Sequence, residues 1–535
     1  MPAPIELKGR PASPGLAAGP LVRLRAAVAG RASTGDAAKE GLALQAAIAA
    51  AVEQIERLIA AGDEESAAIL EFQAAMLTDD ELTAPALRAI SAGASAESAW
   101  EAALEAQIAT YAEADDDYFR ARAADMTDLR DRILRNLAGV APEALPAGAI
   151  LTGEDITPTR FLECDWSAGG GIALSAGSAA SHVAMLARSR GVPMVVGLGL
   201  LRLANGHTEA LLDGERGAVV LNPGPAERSA FEKRRLAAAG ARERAAAFVK
   251  RRAVTADGAA IRVMVNVAEP EDVDRIDAAG CDGVGLMRTE FLFRNGLPDE
   301  ETQYRAYVRV LDWAAGRPVT IRTVDAGGDK PVPGFTIGEL NPFLGLRGIR
   351  LSLVRPEIFR VQLRALARAA IHGNLKVMLP MVTVPGELAA AASHFDAALA
   401  ELSAEGIEAI RTPLGIMVEV PAVAIVPEAF ASAAFFSIGS NDLTQYVTAA
   451  ARDSAHVAEL NDVAHPAVMQ LIAKVAAFGV EAGIEVSLCG DAASAPEHVP
   501  ALLKAGLRSL SVAPAALGPV KAAIADVRVG TSDAG

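Results

Sequence analysis

The stretch Val263-Met-Val-Asn-Val, followed shortly by Gly283-Val-Gly-Leu-Met, opens the pattern that decides the fold of the C-terminal half. Both are short apolar runs bounded by polar and helix-like sequence, the profile of strands buried on both faces. Six more runs follow, Val319 to Val324, Val377 to Val382, Gly415 to Val420, Phe435 to Gly439, Glu485 to Leu488 and Ser509 to Val512, with helical stretches between them. Eight such units within about 270 residues match the repeat count and size of a (β/α)8 TIM barrel. In that architecture the chemistry sits where the strands end. Reading those ends in order gives Arg288, Arg322 with Asp325 close behind, Pro380, Glu419, Asn441 with Asp442, and Cys489. Taken singly, each arginine or carboxylate is at home in a structural ion pair. Converging on one mouth, they suit an anionic, phosphorylated substrate held by arginines and a carboxylate-bound cation.

Outward from the barrel the pattern changes. Residues 34–137 are rich in Ala, Glu, Leu and Arg with apolar positions at helical spacing, as in Ile48, Val52, Ile55 and Ile59, which predicts a helical bundle. Within it, the run from Asp115 to Arg135 interleaves both signs of charge and reads as a solvated helix face. Short β-like pieces flank the bundle, Gly15 to Leu24 before it and Gly171 to Leu174, Met194 to Gly197 and Ala218 to Leu221 after it, so the bundle looks inserted into an α/β domain. Pro225 to Arg252 is charged, Ala-rich and poor in large apolar residues, as expected of a connecting helix and a hinge. The resulting division is residues 1–25 with 140–224, residues 26–139, a linker helix over 225–252, and a barrel over 253–535.

The bulk numbers agree with several domains and narrow the partners. At 535 residues the chain exceeds the roughly 250 to 300 at which single cores stop growing. A formal charge of -16 without a Lys/Arg stripe argues against nucleic acid, and no apolar run approaches the about 20 residues that span a bilayer. Met1-Pro-Ala-Pro-Ile-Glu-Leu-Lys lacks the features of a secretory signal, so a cytoplasmic location is expected. The three cysteines, Cys164, Cys281 and Cys489, are too scattered for a disulfide framework, and the first two read as ordinary buried residues.

Five long strings carry a resemblance: Gly285-Leu-Met-Arg-Thr-Glu-Phe-Leu-Phe, Ile321-Arg-Thr-Val-Asp-Ala-Gly-Gly-Asp-Lys, Asn341-Pro-Phe-Leu-Gly-Leu-Arg, Gly415-Ile-Met-Val-Glu-Val-Pro and Phe436-Ser-Ile-Gly-Ser-Asn-Asp-Leu-Thr-Gln-Tyr. With Ala12-Ser-Pro-Gly-Leu-Ala-Ala-Gly near the start, they make the chain similar to enzyme I of the bacterial phosphoenolpyruvate:sugar phosphotransferase system along nearly its whole length. The resemblance implies an α/β phosphohistidine domain and transfer of the phosphoryl group of phosphoenolpyruvate to His182, releasing pyruvate. A small histidine phosphocarrier protein, docking on the bundle, would receive it next. Small residues lead into a helical run at His182, where backbone N–H groups and the helix dipole suit a phosphate.

Carried over residue by residue, the resemblance makes Arg288, Arg322 and Arg452 the clamp on substrate. Glu419 and Asp442 would hold Mg2+, with Asn441 as a polar contact beside Asp442. Cys489 would be the proton donor to the methylene carbon. Lys330 and Arg347 are further candidates for neutralising phosphate charge, or are structural, on what read as flexible loops. The barrel would be the site of homodimerisation. The chain departs from the family pattern at Ala180, where a threonine is expected, at Ala451 in place of Asp, at Asp491 in place of Glu, and in Glu71-Phe-Gln, where Gly-His is expected. Two other readings compete: a pyruvate-phosphate dikinase or phosphoenolpyruvate synthase, which would need room for a large nucleotide-binding domain and a Gly-rich loop that this sequence does not show, and a silent phosphoenolpyruvate sensor, which would bind ligand without transferring phosphate.

Overall fold

The computed structural model describes residues 4–23, 33–61, 64–112, 117–140, 145–179, 181–199, 208–294, 296–328, 330–451 and 456–530. The chain divides into two compact units, Met1–Ala237 and Ala238–Gly535.

In the first unit an eight-stranded sheet is built from β1 (Ile5–Lys8), β2 (Arg10–Ser13), β3 (Leu16–Arg23), β4 (Ile150–Gly153), β5 (Gly171–Leu174), β6 (Met194–Val196), β7 (Glu209–Asp213) and β8 (Ala218–Leu221). Its order is β1-β8-β7-β3-β4-β5-β6-β2, with β3 to β6 parallel and antiparallel pairs outside them. Between β3 and β4 the chain forms α1 (Ala37–Ala61), α2 (Glu64–Leu77), α3 (Asp80–Ser91), α4 (Ala96–Ala112) and α5 (Asp117–Leu137). Leu44, Ala51, Ile55, Trp100, Leu104, Leu129 and Ile133 form their buried seam. This is one apolar stripe per helix facing a shared core.

The charged run through α5 does not form the solvated face that its sequence predicts: Asp125, Asp128 and Arg132 are at most 3 % exposed. The Thr159 hydroxyl donates to both Asp128 oxygens at 2.6 and 2.7 Å, and Gln73 Nε2 donates to Asp125 and Asp128. Arg132 donates to Glu163 at 2.6 Å and to Gln54 at 2.8 Å. Thr159 and Glu163 belong to α6 (Pro158–Glu163), so α5 is covered on that side by the α/β sheet's own helix. Such buried charges persist because each is met by opposite charge or hydrogen bonds. Helical periodicity could not reveal a second packing face made of polar residues.

After α7 (His182–Ser189) and the last strands of the sheet comes α8 (Pro225–Phe248), which runs across the division between the units. Its first half is tied to the first unit by Arg234 on Asp213 and Arg228 on Glu209. Its second half is tied to the second unit: Arg244 pairs with Asp526, and the Lys521 ammonium donates to the carbonyls of Val249, Arg251 and Gly280 just beyond the helix. From Arg235 to Arg244 nearly every residue is exposed, and nothing lies within 4 Å of where a Cβ on Gly240 would stand.

The second unit is the expected barrel. Parallel strands β9 (Arg262–Val267), β10 (Val284–Met287), β11 (Val319–Arg322), β12 (Leu375–Leu379), β13 (Leu414–Val418), β14 (Phe435–Ile438), β15 (Glu485–Leu488) and β16 (Ser509–Val512) close on themselves through β16 and β9. Val263, Val265, Val284, Ile321, Val377, Ile416, Phe436, Leu488, Leu510 and Val512 are buried in its main core. Closure leaves no unpaired edge and directs all eight strand ends to one mouth.

Candidate active site

The mouth of the barrel holds a small open cleft lined by Arg288, Arg322, Lys330, Glu419, Asn441, Asp442 and Cys489, with Leu286, Met417, Gly439 and Gly490 between them. The polar groups stand at the ends of five strands or in the segments that follow them, Arg288 after β10, Arg322 and Lys330 on and after β11, Glu419 after β13, Asn441 and Asp442 after β14 and Cys489 after β15, so the sheet itself sets their spacing.

The arginines differ in their commitments. Arg322, the last residue of β11, is buried; it donates to Glu290 at 3.0 Å and pairs with Asp325 at 3.1 Å, while its Nε is buried without a partner among the described residues. Arg347 has no exposed surface at all and forms two-pronged bonds with Asp325, at 3.0 Å for both, and with Asp442 at 2.9 and 3.2 Å. It is therefore no flexible-loop cation: it is the rigid brace under the cleft, and it does not line it. Arg288 is exposed and has no partner among the described residues, which leaves its guanidinium available to an anion. Lys330 reaches Asp325 at 3.4 Å. Arg452 lies outside the described residues, as does Ala180.

Among the carboxylates, Asp325 is fully buried; burial alone would raise its pKa, but Arg322, Arg347 and Lys330 outweigh it and hold the group well below the usual range. Glu419 goes the other way. Burial, then the charges of Asp442 and Asp325, push it up to about 8. Its Oε1 accepts the N–H of Met381 at 2.6 Å, and Met381 reaches that position with a φ of 59°, a left-handed conformation uncommon for a side-chain-bearing residue. Like charges of this kind favour a bound cation, and oxygen donors from two carboxylates suit Mg2+, which keeps its remaining positions for water and phosphate. Among the described residues no group of three or more His, Cys, Asp or Glu is placed to hold a metal ion.

Cys489 follows β15 with its thiol buried beside Leu286, Met378, Met417 and Phe435, and burial pushes it up to about 11. Burial thus favours the protonated thiol over the thiolate near neutrality. Iodoacetamide at pH 8 is expected to alkylate Cys489 about a hundredfold more slowly than an ordinary thiol of pKa near 8.5, with rates read by peptide mass spectrometry. Alkylation as fast as that of free cysteine would rule out the protonated thiol.

In the first unit, His182 opens α7, half-buried, with Ser181 as N-cap accepting the Ala184 N–H at 3.2 Å. Arg188 on the same helix donates to the carbonyls of Ala12 and Ala179 at 2.7 and 2.9 Å, and Arg10 donates to Gly177 at 3.2 Å. These bonds hold the loop leading into His182 against β2.

Family models match three stretches of the chain. The PEP-utilising enzyme N-terminal model matches residues 8–122, the mobile-domain model 145–217, and the PEP-binding-domain model 242–529. A phosphoenolpyruvate-protein phosphotransferase of Geobacillus stearothermophilus is 36% identical over 533 residues, 96% of this chain and 92% of its own. The chain belongs to the PEP-utilising enzymes. A phosphoenolpyruvate-protein phosphotransferase of Haloferax volcanii is 39% identical over 476 residues, 86% of this chain and 82% of its own. Among solved structures, an enzyme I chain studied by NMR aligns with 43% of this chain and 98% of its own, at 26% identity and a TM-score of 0.36. In this PEP-utilising enzyme, strand-end position signals neither Glu290 nor the pairing of Asn441 with Asp491. The return of Glu290 toward Arg322 depends on the 3-10 turn Glu290–Phe293, which apolar periodicity does not signal.

Proposed function

We propose that the chain transfers the phosphoryl group of phosphoenolpyruvate to His182, releases pyruvate, and hands the group on to the histidine of a small phosphocarrier protein. The observation that supports this most is the single cleft in which Arg288, Arg322, Lys330, Glu419, Asn441, Asp442 and Cys489 meet at the barrel mouth.

In this reading Arg288 and Lys330 bind the anionic groups of substrate, Arg322 fixes one of them from below, and Arg452 completes the clamp. The attacking imidazole nitrogen of His182 forms the new N–P bond as the bond from phosphorus to the enol oxygen breaks. The enolate's electron pair then takes the Cys489 proton at the methylene carbon, giving pyruvate, and water returns a proton to the thiolate. Positioning and charge neutralisation do most of the catalysis in such transfers. Glu419 and Asp442 would hold Mg2+, which when bound offsets phosphate charge. A cytoplasmic location, docking of the carrier on the bundle and a homodimer through the barrel belong to the same reading; no described helix is long and apolar enough to cross a membrane.

Arg288→Ala is expected to lower kcat/KM for phosphoenolpyruvate by roughly 10- to 100-fold, the worth of one charge-assisted bond to phosphate. Steady-state pyruvate release in the presence of Mg2+ and an acceptor carrier reads it. An unchanged KM would remove Arg288 from the clamp.

A further inference from the structure

We propose that Asp491 is a positioning residue, which locks the side-chain amide of Asn441 so that it presents an N–H to the phosphoenolpyruvate in the barrel cleft. This rests on reading the cleft as the phosphoenolpyruvate site.

Two bonds of opposite polarity join the residues. The Asp491 backbone N–H donates to Asn441 Oδ1 at 2.9 Å, and Asn441 Nδ2 donates to Asp491 Oδ2 at 2.9 Å. A backbone N–H can only donate and an ionised carboxylate can only accept, so the pair admits one orientation of the amide. The Asn441 carbonyl is thereby occupied. Its second N–H has no partner among the described residues, and Asn441 lines the cleft together with Arg288, Arg322 and Cys489. What Asn441 has left to offer a ligand is a donor, the polarity a phosphate or carboxylate oxygen requires.

The local chain is built for this approach. Asn441 is in the first turn of the helix Ser440–Thr448 after β14, and Asp491 begins the helix Asp491–Ser494 after Cys489 and Gly490. A Cβ on Gly490 would run into Ser440 and the Asn441 side-chain oxygen, so only glycine lets the two loops come this close. The latch therefore joins the loop bearing the thiol to the loop bearing Asn441 and Asp442. Asp491 is exposed and does not itself line the cleft. A negative charge near an anion site would otherwise weaken binding, and here it is directed at orienting a neutral donor.

A double-mutant cycle on the full chain with Mg2+, phosphoenolpyruvate and an acceptor carrier tests it. Asp491→Ala is expected to raise KM for phosphoenolpyruvate about tenfold with little change in kcat, as for a lost oriented binding contact. In an Asn441→Ala background the same change is expected to add nothing, because the two residues act as one unit. Asp491→Asn, which keeps both the acceptor oxygen and the backbone N–H, should restore KM to within about threefold of wild type. Wild-type KM in Asp491→Ala, independent multiplication of the two effects, or no rescue by Asp491→Asn would each overturn the proposal. If Asp491→Ala does not fold, Asp491→Ser takes its place in the cycle. Failure of the wild-type chain to take phosphate from phosphoenolpyruvate would instead strike the reading of the cleft.

Discussion

His182→Ala is expected to abolish the acid-labile phosphate that the chain acquires from phosphoenolpyruvate and Mg2+, and to lower pyruvate release by about 10⁴-fold or more. Alanine supports a helix start, and His182 is only half-buried at the first position of α7, so the fold should stand. The barrel cleft is built entirely from the second unit, so phosphoenolpyruvate binding should survive while transfer does not. Intact mass before and after brief acid treatment gives the answer directly. One phosphate on wild type and none on the variant is the expected pattern. A phosphate that persists on the variant would place the acceptor elsewhere and break the proposed route.

The largest expected effect on stability lies at Arg347. Its guanidinium is wholly buried between Asp325 and Asp442, so Arg347→Met leaves two carboxylates without their shared counter-charge. Breaking a buried pair by removing one partner costs about 3–5 kcal/mol, because the remaining charge stays desolvated. The corresponding fall in melting temperature of the barrel is roughly 6–15 °C. Activity should fall with it, since Asp442 would no longer be held in place beneath the cleft. Arg347→Lys should be intermediate, as an ammonium cannot make both two-pronged contacts. Calorimetry showing wild-type melting for Arg347→Met would mean that the two carboxylates find other partners, and the brace would lose its importance.

These two residues mark how far the sequence could be read. The barrel was legible because strands buried on both faces write themselves as apolar runs, and the site was legible because barrel chemistry concentrates where those runs stop. Arg288, Glu419, Asn441 and Cys489 were found in that way. What the runs do not encode is which cation is already spoken for. Arg288 and Arg347 both stood out as candidate phosphate binders, yet one is open to ligand and the other is sealed under the cleft by contacts from segments far apart in the chain. The run expected from Val319 to Val324 ends as a strand at Arg322, since Asp325 turns away to meet Arg322 and Arg347. In α5 the same blindness had the opposite sign: alternating charges looked solvated, while Asp128 and Arg132 answer partners on α6 and α1. Local patterns report periodicity and polarity, whereas partnership is a property of tertiary contacts.

The two halves of α8 are held by ion pairs to Asp213 and to Asp526, and between Arg235 and Arg244 nearly every residue is exposed. Interrupting the helix near Gly240 would uncover no apolar surface and would release amides and carbonyls already beside water, and glycine lowers the helical preference there by about 1 kcal/mol relative to alanine. A single alanine at position 240 should therefore stiffen this exposed stretch of the helix without touching any group in either site.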